Sequence, residues 1–287
     1  MLLTGVSGQY HSWQITSAAI KRHLDEAKIF DVDVVLCPDD KEGKAAFDPV
    51  WSDYDVVFMA YDDGNWSLPT EEQSEWSEKT KATFENYVAE GGGLVVQHAA
   101  NNCFPNWPAF NKMIAVGGWG GRDETSGPAI AWRNDAMEHI HTPGEATHPE
   151  CHDYQVVIRD SSHPITQGLP EKWMHPHDEL YCGLRGPAKD VSILTTAYAD
   201  PTLENSSGEH EPVLMVINYG KGRVFHTILG HAGANAIEPI AALDCVGFMF
   251  TNQRGTEWAA TGKVTLTTPN DFPTESATSI RKWTIKD

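Results

Sequence analysis

The chain of 287 residues has few cysteines, and their spacing matches neither a disulfide framework nor a thiolate zinc site. The number is odd and no C-x-x-C pair occurs; the residues are Cys37, Cys103, Cys151, Cys182 and Cys245. A complete set of disulfides needs an even number of cysteines, and structural zinc sites need closely spaced ones. We therefore expect most of these residues to be plain thiols.

Basic residues and long apolar runs are also scarce. Lys plus Arg number 21 against 40 Asp plus Glu, which gives a formal net charge of −19. Such a surface repels phosphate backbones and anionic lipid, so nucleic acid and membranes are disfavoured as partners, whereas neutral sugars and divalent cations fit.

No run reaches the roughly 18 apolar residues of a membrane span, and the residues after Met1 lack the basic and apolar regions of a signal peptide. We expect a soluble protein, cytoplasmic as given or exported if a leader was removed.

The order of predicted elements indicates an α/β fold. Strands and helices alternate through the first half, while strands cluster in the second half, which is typical of a doubly wound sheet with a partly antiparallel extension. We predict one α/β domain over residues 1–260, with an insertion at about 123–152, and a C-terminal tail, 261–287, that packs on the same domain. Further predictions are a helix over 70–90 that starts with a capping box at Thr70, a final helix over 237–250 and a strand-like run at 264–267.

Residues 91–107, GGGLVVQHAANNCFPNW, are the centre of this arrangement. A short apolar run flanked by glycines and followed by Gln97 and His98 predicts a buried strand that ends in a polar loop. In open α/β sheets ligands bind beyond the carboxyl ends of the strands, so His98 is a candidate site residue. The alternative is a histidine that only caps the strand end. The glycine-rich segment 117–122, which contains Trp119, could close over a ligand.

Further polar side chains lie where predicted strands meet loops. They are His11, the run 175–181 with Asp178, Glu179 and Tyr181, and the pair His226 and His231. Imidazoles and carboxylates suit a zinc or manganese ion, and they equally suit metal-free acid–base catalysis. Asp178 and Glu179 are adjacent, so on a strand at most one of them points into a site. The sequence contains no H-E-x-x-H motif, so the pattern does not distinguish a metal site from metal-free catalysis.

One pattern imitates the glutaminase triad of class I glutamine amidotransferases. His148-Pro-Glu150 supplies the histidine and glutamate, and Cys103 follows the central strand. A nucleophile elbow, however, needs its cysteine at the turn directly after the strand, where this chain has Gln97 and His98. We therefore expect no glutaminase chemistry.

Five ordered blocks carry a resemblance to a known family: GGGLVVQHAA, SHPITQGLP, HDELY, YGKGRVFHTILGH and RGTEWAATGKV. Together they resemble the trehalose-utilisation (ThuA-like) family over nearly the whole chain. The resemblance implies a flavodoxin-like three-layer fold similar to class I glutamine amidotransferases, without their cysteine nucleophile. It also implies a role in sugar metabolism, with trehalose, related disaccharides or their 3-keto forms as substrates. The polar positions carried over are His11, His98, Asp178, Glu179, Tyr181, His226 and His231.

The leading hypothesis is a sugar-processing enzyme of the lyase, hydrolase or isomerase type, which handles a keto-sugar by enolisation. Its predicted catalytic residues are His98, His226, Glu179 and Asp178. Its predicted substrate-binding residues are His11, Gln97, Trp119 and Tyr181, and a zinc or manganese ion would bind His98, His226 and His231. The alternative is a non-catalytic carbohydrate-binding protein whose Trp66, Trp107 and Trp119 stack on sugar rings. A homo-oligomer is an open alternative to a monomer.

Overall fold

A computed structural model describes residues 1–69, 72–236 and 240–283 of the chain. Within them the strands are β1 (Leu2–Thr4), β2 (Val34–Leu36), β3 (Val56–Met59), β4 (Gly93–Gln97), β5 (Ala129–Arg133), β6 (Ala136–Ile140), β7 (His152–Ile158), β8 (Lys172–Asp178), β9 (Val191–Tyr198), β10 (His210–Tyr219) and β11 (Gly222–Thr227). The helices are α1 (Trp13–Ala27), α2 (Lys41–Ala46), α3 (Glu78–Ala89), α4 (Pro108–Ile114), α5 (Ala241–Asp244) and α6 (Val246–Thr261). Short 3-10 helices span Trp51–Asp53, Asn65–Ser67 and His98–Asn102.

Nine of these strands form one sheet, in the order β2-β1-β3-β4-β11-β10-β9-β7-β8. The strands from β2 to β11 pair in parallel. The pairs from β11 outwards to β8 are antiparallel. The parallel part therefore has the strand order 2-1-3-4-5 that defines flavodoxin-like sheets. The predicted fold class, a doubly wound sheet with a partly antiparallel extension, is confirmed.

Helices cover both faces of the parallel part of the sheet, as β11 illustrates. Phe225 faces α6 so closely that a Cβ on Gly255 would lie 2.1 Å from its ring. Gly222 is three residues away and faces the other side, where a Cβ would lie 2.1 Å from the Val88 carbonyl oxygen of α3. Helix α1 packs on α6 in the same layer. The result is the three-layer arrangement that the family resemblance implies.

The edge strand β8 is covered by the C-terminal tail. The backbone N–H of Met174 donates to the Thr274 carbonyl at 2.9 Å, and the side chain of Gln155 in β7 donates to the Glu275 carbonyl at 3.1 Å. The prediction of a strand-like run at 264–267 is wrong, because Thr265 donates its backbone N–H to the Glu257 carboxylate at 2.8 Å instead of to a neighbouring strand. A covered edge cannot pair with another chain, so the tail protects the sheet.

Two predicted helices differ in their bounds. Helix α3 begins at Glu78, where the hydroxyl of Ser77 accepts the Thr80 N–H at 3.2 Å. The predicted capping-box residue Thr70 lies outside the described residues. The predicted final helix over 237–250 is replaced by the short α5 and the long α6, and its first three residues also lie outside the described part.

The predicted insertion 123–152 contains the hairpin of β5 and β6, which pairs from Ala129–Ile140 to Arg133–Ala136 and packs near β10. The rest of the insertion returns toward the sheet, and Thr147 bridges to Cys182. This return brings residue 148 to the end of β8.

Four strand ends meet at one edge of the sheet. β1, β4 and β11 are parallel, so their carboxyl ends point the same way. Strand β8 is separated from β11 by three antiparallel neighbours and therefore runs in the same direction as β11. The loops that follow these strands consequently face one crevice.

Candidate functional site

Three histidines and one glutamate converge at this edge. His11 follows β1, His98 follows β4, His231 follows β11 and Glu179 follows β8. The imidazole centroids lie 5.2–5.3 Å apart with the rings edge-on to one another. One donor atom from each of the four side chains lies within 4.8 Å of all the others. This cluster, which we call the histidine floor, could hold a single metal ion.

His98 occupies the elbow position directly after β4. Its φ of 46° is in the left-handed region, which a non-glycine residue rarely adopts and which carries about 1–3 kcal/mol of strain. The ring donates its Nδ1–H to the Ile228 carbonyl at 2.7 Å. In the neutral ring the lone pair is then on Nε2, which lies 2.9 Å from the Tyr181 hydroxyl and 3.1 Å from His231 Nδ1. The backbone thus fixes the tautomer and aims Nε2 into the cluster.

The charges of the histidine floor suit a cation. Burial alone would raise the pKa of Glu179, but its hydrogen bond with His98 and the neighbouring histidines outweigh burial and lower the pKa to about 2. Burial lowers the pKa of His231 to about 4. Burial would also lower the pKa of His98, yet the hydrogen bond and charge of Glu179 raise it. At neutral pH the cluster offers an ionised carboxylate and the neutral imidazole of His231.

Asp178, predicted as catalytic, lies behind the histidine floor and does not line the pocket. Its buried carboxylate accepts the backbone N–H of Gly230 at 2.7 Å and of His231 at 2.9 Å. The same carboxylate contacts His175 Nε2 at 2.7 Å. Of the two adjacent carboxylates only Glu179 enters the pocket, and Asp178 positions the loop that carries His231.

His226, predicted as a catalytic residue and a metal ligand, does not join the histidine floor. It lies within β11, one residue before the strand ends, and side chains alternate between the faces of a sheet. Its Nδ1–H donates to the Ile114 carbonyl at 3.0 Å, and its Nε2 accepts from the Asn101 amide at 3.1 Å. Both ring nitrogens are therefore occupied by structural hydrogen bonds, and the ligand prediction for His226 is wrong.

Gln97, predicted to bind substrate, uses its amide to hold the loop after β11. Its Nε2 donates to the Leu229 carbonyl at 2.8 Å and to the Gly230 carbonyl at 3.1 Å. Gln97 and Asp178 thus anchor the same loop from the ends of two different strands.

Aromatic side chains enclose the pocket above the histidine floor. The pocket has about 810 Å³ of empty space, partly open to solvent. It is lined by Tyr10, His11, Trp66, Asn102, Trp119, His148, Glu179 and Tyr181. Tyr10 stacks on Trp66 at 5.3 Å, and Trp119 meets Tyr181 edge-on at 4.8 Å between ring centroids. Trp107, which the binding hypothesis included, instead packs in the core against Phe104 and Phe110.

The glycine-rich segment 117–122 holds Trp119 over the pocket. Trp119 itself has a left-handed φ of 45°. The buried guanidinium of Arg122 donates to the carbonyls of Asn102 at 3.1 Å, Gly118 at 2.8 Å and Cys103 at 2.7 Å. One side chain therefore ties this segment to the loop that follows β4.

Sequence reasoning missed four pocket or supporting residues: Tyr10, Asp62, Asn102 and His148. His148 Nδ1 lies 3.7 Å from Glu179 Oε1, although its sequence motif matches a glutaminase triad that the chain does not form. Asp62 lies 3.4 Å from His11 Nδ1 and accepts the Trp66 indole N–H at 3.0 Å. Cys103 is buried, its thiol donates to the Tyr61 carbonyl at 3.2 Å, and burial raises its pKa well above the usual value. A buried thiol with a raised pKa is a poor nucleophile.

Fold and site together define a flavodoxin-like α/β protein whose elbow after the central strand carries a histidine instead of a nucleophile. The family model described as trehalose utilisation (ThuA) matches residues 1–242, and the chain belongs to that family. Membership implies a role in trehalose utilisation.

Solved structures agree with this assignment. A ThuA-like protein from Parabacteroides merdae is 41% identical, with a TM-score of 0.90 over 98% of this chain and 96% of that one. A ThuA-like protein from Bacteroides uniformis is 18% identical, with a TM-score of 0.55 over 92% and 91%, and supports the fold alone. A search among curated proteins found no match. Within the described residues no helix has the length and apolar character needed to cross a membrane.

Proposed function

We propose that this protein is an enzyme acting on trehalose-like disaccharides or their 3-keto derivatives, with one divalent ion held by His11, His98, His231 and Glu179. The observation that carries the proposal is the mutual approach of these four donors, within 4.8 Å, on the floor of an aromatic-lined pocket. Three imidazoles and a carboxylate are ligands that zinc and manganese accept. The aromatic walls suit the apolar faces of sugar rings.

The ligand set is oriented before any ion binds. His98 is fixed by its bond to the Ile228 carbonyl, and the backbone of His231 is fixed by Asp178. Such supporting contacts are typical of histidine ligands. Burial would lower the pKa of His98, but the hydrogen bond and charge of Glu179 raise it, so protons compete with a metal ion for this imidazole and metal affinity falls as the pH falls.

A divalent ion in this position would polarise a sugar carbonyl and stabilise its enolate. The proton next to the carbonyl needs a base that is not itself a metal ligand, and we assign that role to His148. Its Nδ1–H donates to the Pro149 carbonyl at 2.9 Å, so the lone pair is on Nε2. Enolisation of a 3-keto-glycoside can lead either to loss of the substituent at C1 or to isomerisation. Both outcomes fit a site without a nucleophile.

The test is elemental analysis of protein purified without a histidine tag, together with turnover of trehalose, 3-keto-trehalose and other 3-keto-glycosides with and without zinc or manganese. We expect about one ion per chain in the wild type and its loss in His98→Ala. His141→Ala, which changes an exposed histidine, is the matched control. His226→Gln should retain the ion, because His226 lies outside the cluster. Absence of any ion and of any turnover in folded protein would refute the proposal.

A second candidate function is non-catalytic carbohydrate binding, which the stacked pair of Tyr10 and Trp66 at the pocket rim favours. Calorimetry separates the two functions. Sugar binding without product, retained in His98→Ala, would support the binding protein over the enzyme.

A further inference from the structure

The amide of Asn102 is a buried polar group that lines the pocket and lacks hydrogen-bond partners. Asn102 ends the 3-10 helix after β4 and is 1% exposed. Neither its Oδ1 nor its Nδ2 makes a hydrogen bond within the described residues. Burial raises the pKa of Tyr181 well above its usual value, and a contact with the Asn102 side chain only partly offsets this effect. The Asn102 amide oxygen and NH₂ group thus lie beside the histidine floor without a well-formed hydrogen bond.

Unpaired buried amides are uncommon, because each buried polar group without a partner destabilises the fold. The side chains of two other asparagines near the pocket, Asn111 and Asn65, are fully paired, and neighbouring Asn101 pairs its NH₂ group with His226 although its Oδ1 has no partner. Asn111 donates to three carbonyls and accepts the Arg122 Nε–H at 2.9 Å, and Asn65 exchanges two bonds with the backbone of Ser74. A leucine at position 102, which has the same branched arrangement of heavy atoms but no polar group, would remove the penalty. An asparagine at this position is explained if a bound ligand supplies the hydrogen-bond partners of its amide.

The backbone presents this amide rigidly to the pocket. Arg122 donates to the backbone carbonyls of both Asn102 and Gly118, which fixes the backbone of Asn102 relative to the segment that carries Trp119. A Cβ at Gly118 would lie 3.0 Å from Asn102 Oδ1, so the glycine avoids crowding the oxygen. Little conformational entropy is lost when such a preorganised group binds a ligand.

We propose that Asn102 determines sugar specificity by forming hydrogen bonds with two adjacent oxygens of a sugar ring bound against Trp119. This inference rests on the proposed function and names the feature of the substrate that the site recognises. The amide oxygen accepts from one hydroxyl, and the NH₂ group donates to the neighbouring hydroxyl or carbonyl oxygen. A neutral amide pair matches neighbouring sugar oxygens, whereas a phosphate or a second cation would require charge.

The experiment compares wild type with Asn102→Leu and Asn102→Ala, using 3-keto-trehalose and its mono-deoxy analogues as probes. In the wild type, removal of one of the two recognised hydroxyls should lower kcat/KM about ten- to hundred-fold, because it leaves part of the buried amide unpaired. In both variants this discrimination should fall below about threefold, because the paired amide is gone. The metal content and the melting temperature of Asn102→Leu should equal or exceed those of the wild type, since an unsatisfied amide has been removed.

Asn252→Leu is the matched control, because Asn252 is also a buried asparagine without amide partners but lies inside α6. It should leave discrimination between the analogues unchanged. If the wild type turns over the sugars and both Asn102 variants keep its discrimination, the specificity role is refuted while the proposed function stands. If the wild type neither binds nor converts any of these sugars, the proposed function fails and the specificity role fails with it.

Discussion

Asp178→Asn should destabilise the protein severely, although Asp178 does not touch the pocket. The carboxylate is fully buried, contacts His175 Nε2 at 2.7 Å and accepts the N–H groups of Glu179, Gly230 and His231. The side-chain amide of asparagine has an NH₂ group in place of one carboxylate oxygen, and this donor would face the N–H groups that the oxygen accepts from in the wild type. Breaking a buried ion pair typically removes about 3–5 kcal/mol, and we expect a loss of that size in the free energy of unfolding. Urea denaturation measures it.

The pH dependence of this loss has a definite sign. Burial would lower the pKa of His175, but the hydrogen bond with Asp178 raises it from 6.5 to about 10. His175 interactions likewise outweigh burial and lower the pKa of Asp178 below 3.8. A raised histidine pKa contributes stability that is complete below about pH 6.5 and is lost as the pH rises toward 10. A depressed aspartate pKa contributes stability above about pH 4 that is lost as the pH falls further. The difference between wild type and variant should therefore be largest between about pH 4 and 6.5.

The matched control for Asp178→Asn is Glu90→Gln, which removes the carboxylate of an exposed ion pair with Lys221. No measurable change in stability is expected there, because exposed ion pairs contribute little. If Asp178→Asn cost less than about 1 kcal/mol, as a surface pair does, the assignment of Asp178 as the central anchor would be wrong.

Further predictions test other parts of the fold. Burial raises the pKa of Glu211 from 4.5 to about 7. The folded state then binds more protons than the unfolded state, so wild-type stability should fall by about 3 kcal/mol from pH 4.5 to 8, and Glu211→Gln should flatten this decline in urea titrations. Gly255→Ala should destabilise the fold by about 1–3 kcal/mol, because its Cβ would overlap Phe225; an unchanged melting temperature would contradict the packing. Cys103→Ala should retain turnover of any sugar that the wild type converts, and loss of turnover in folded protein would restore a role for the thiol.

The fold was largely readable from the sequence because buried strands leave a strong local signal. The apolar run before Gln97 matches β4 within a residue at each end. Helix starts were less certain, because capping signals are local and several compete. Ser77 caps α3 in the structure.

The sequence placed the site at strand ends but could not assign every side chain to it. His226 and His231 are five residues apart in one motif. Strand β11 ends at Thr227, so His226 lies inside the strand and His231 lies in the loop beyond it, and the sequence does not mark this boundary. His148 and Asn102 enter the pocket through long-range packing of a loop and a 3-10 turn, for which the sequence has no periodic signal. Tertiary contacts over such distances cannot be derived from local patterns.

The contacts that hold the histidine floor would also fix the geometry of the proposed ion site. The loop after β11 is fixed from three sides: Gln97 donates to Leu229, Asp178 accepts from His231, and His98 donates to Ile228. The spacing of the rings is therefore set by backbone contacts, and an ion would enter a geometry that already exists. Because the same contacts also stabilise the fold, substitutions at Asp178 should weaken metal binding and stability together. Substitutions at His11 or Glu179, whose side chains do not anchor this loop's backbone, should weaken metal binding far more than they weaken the fold.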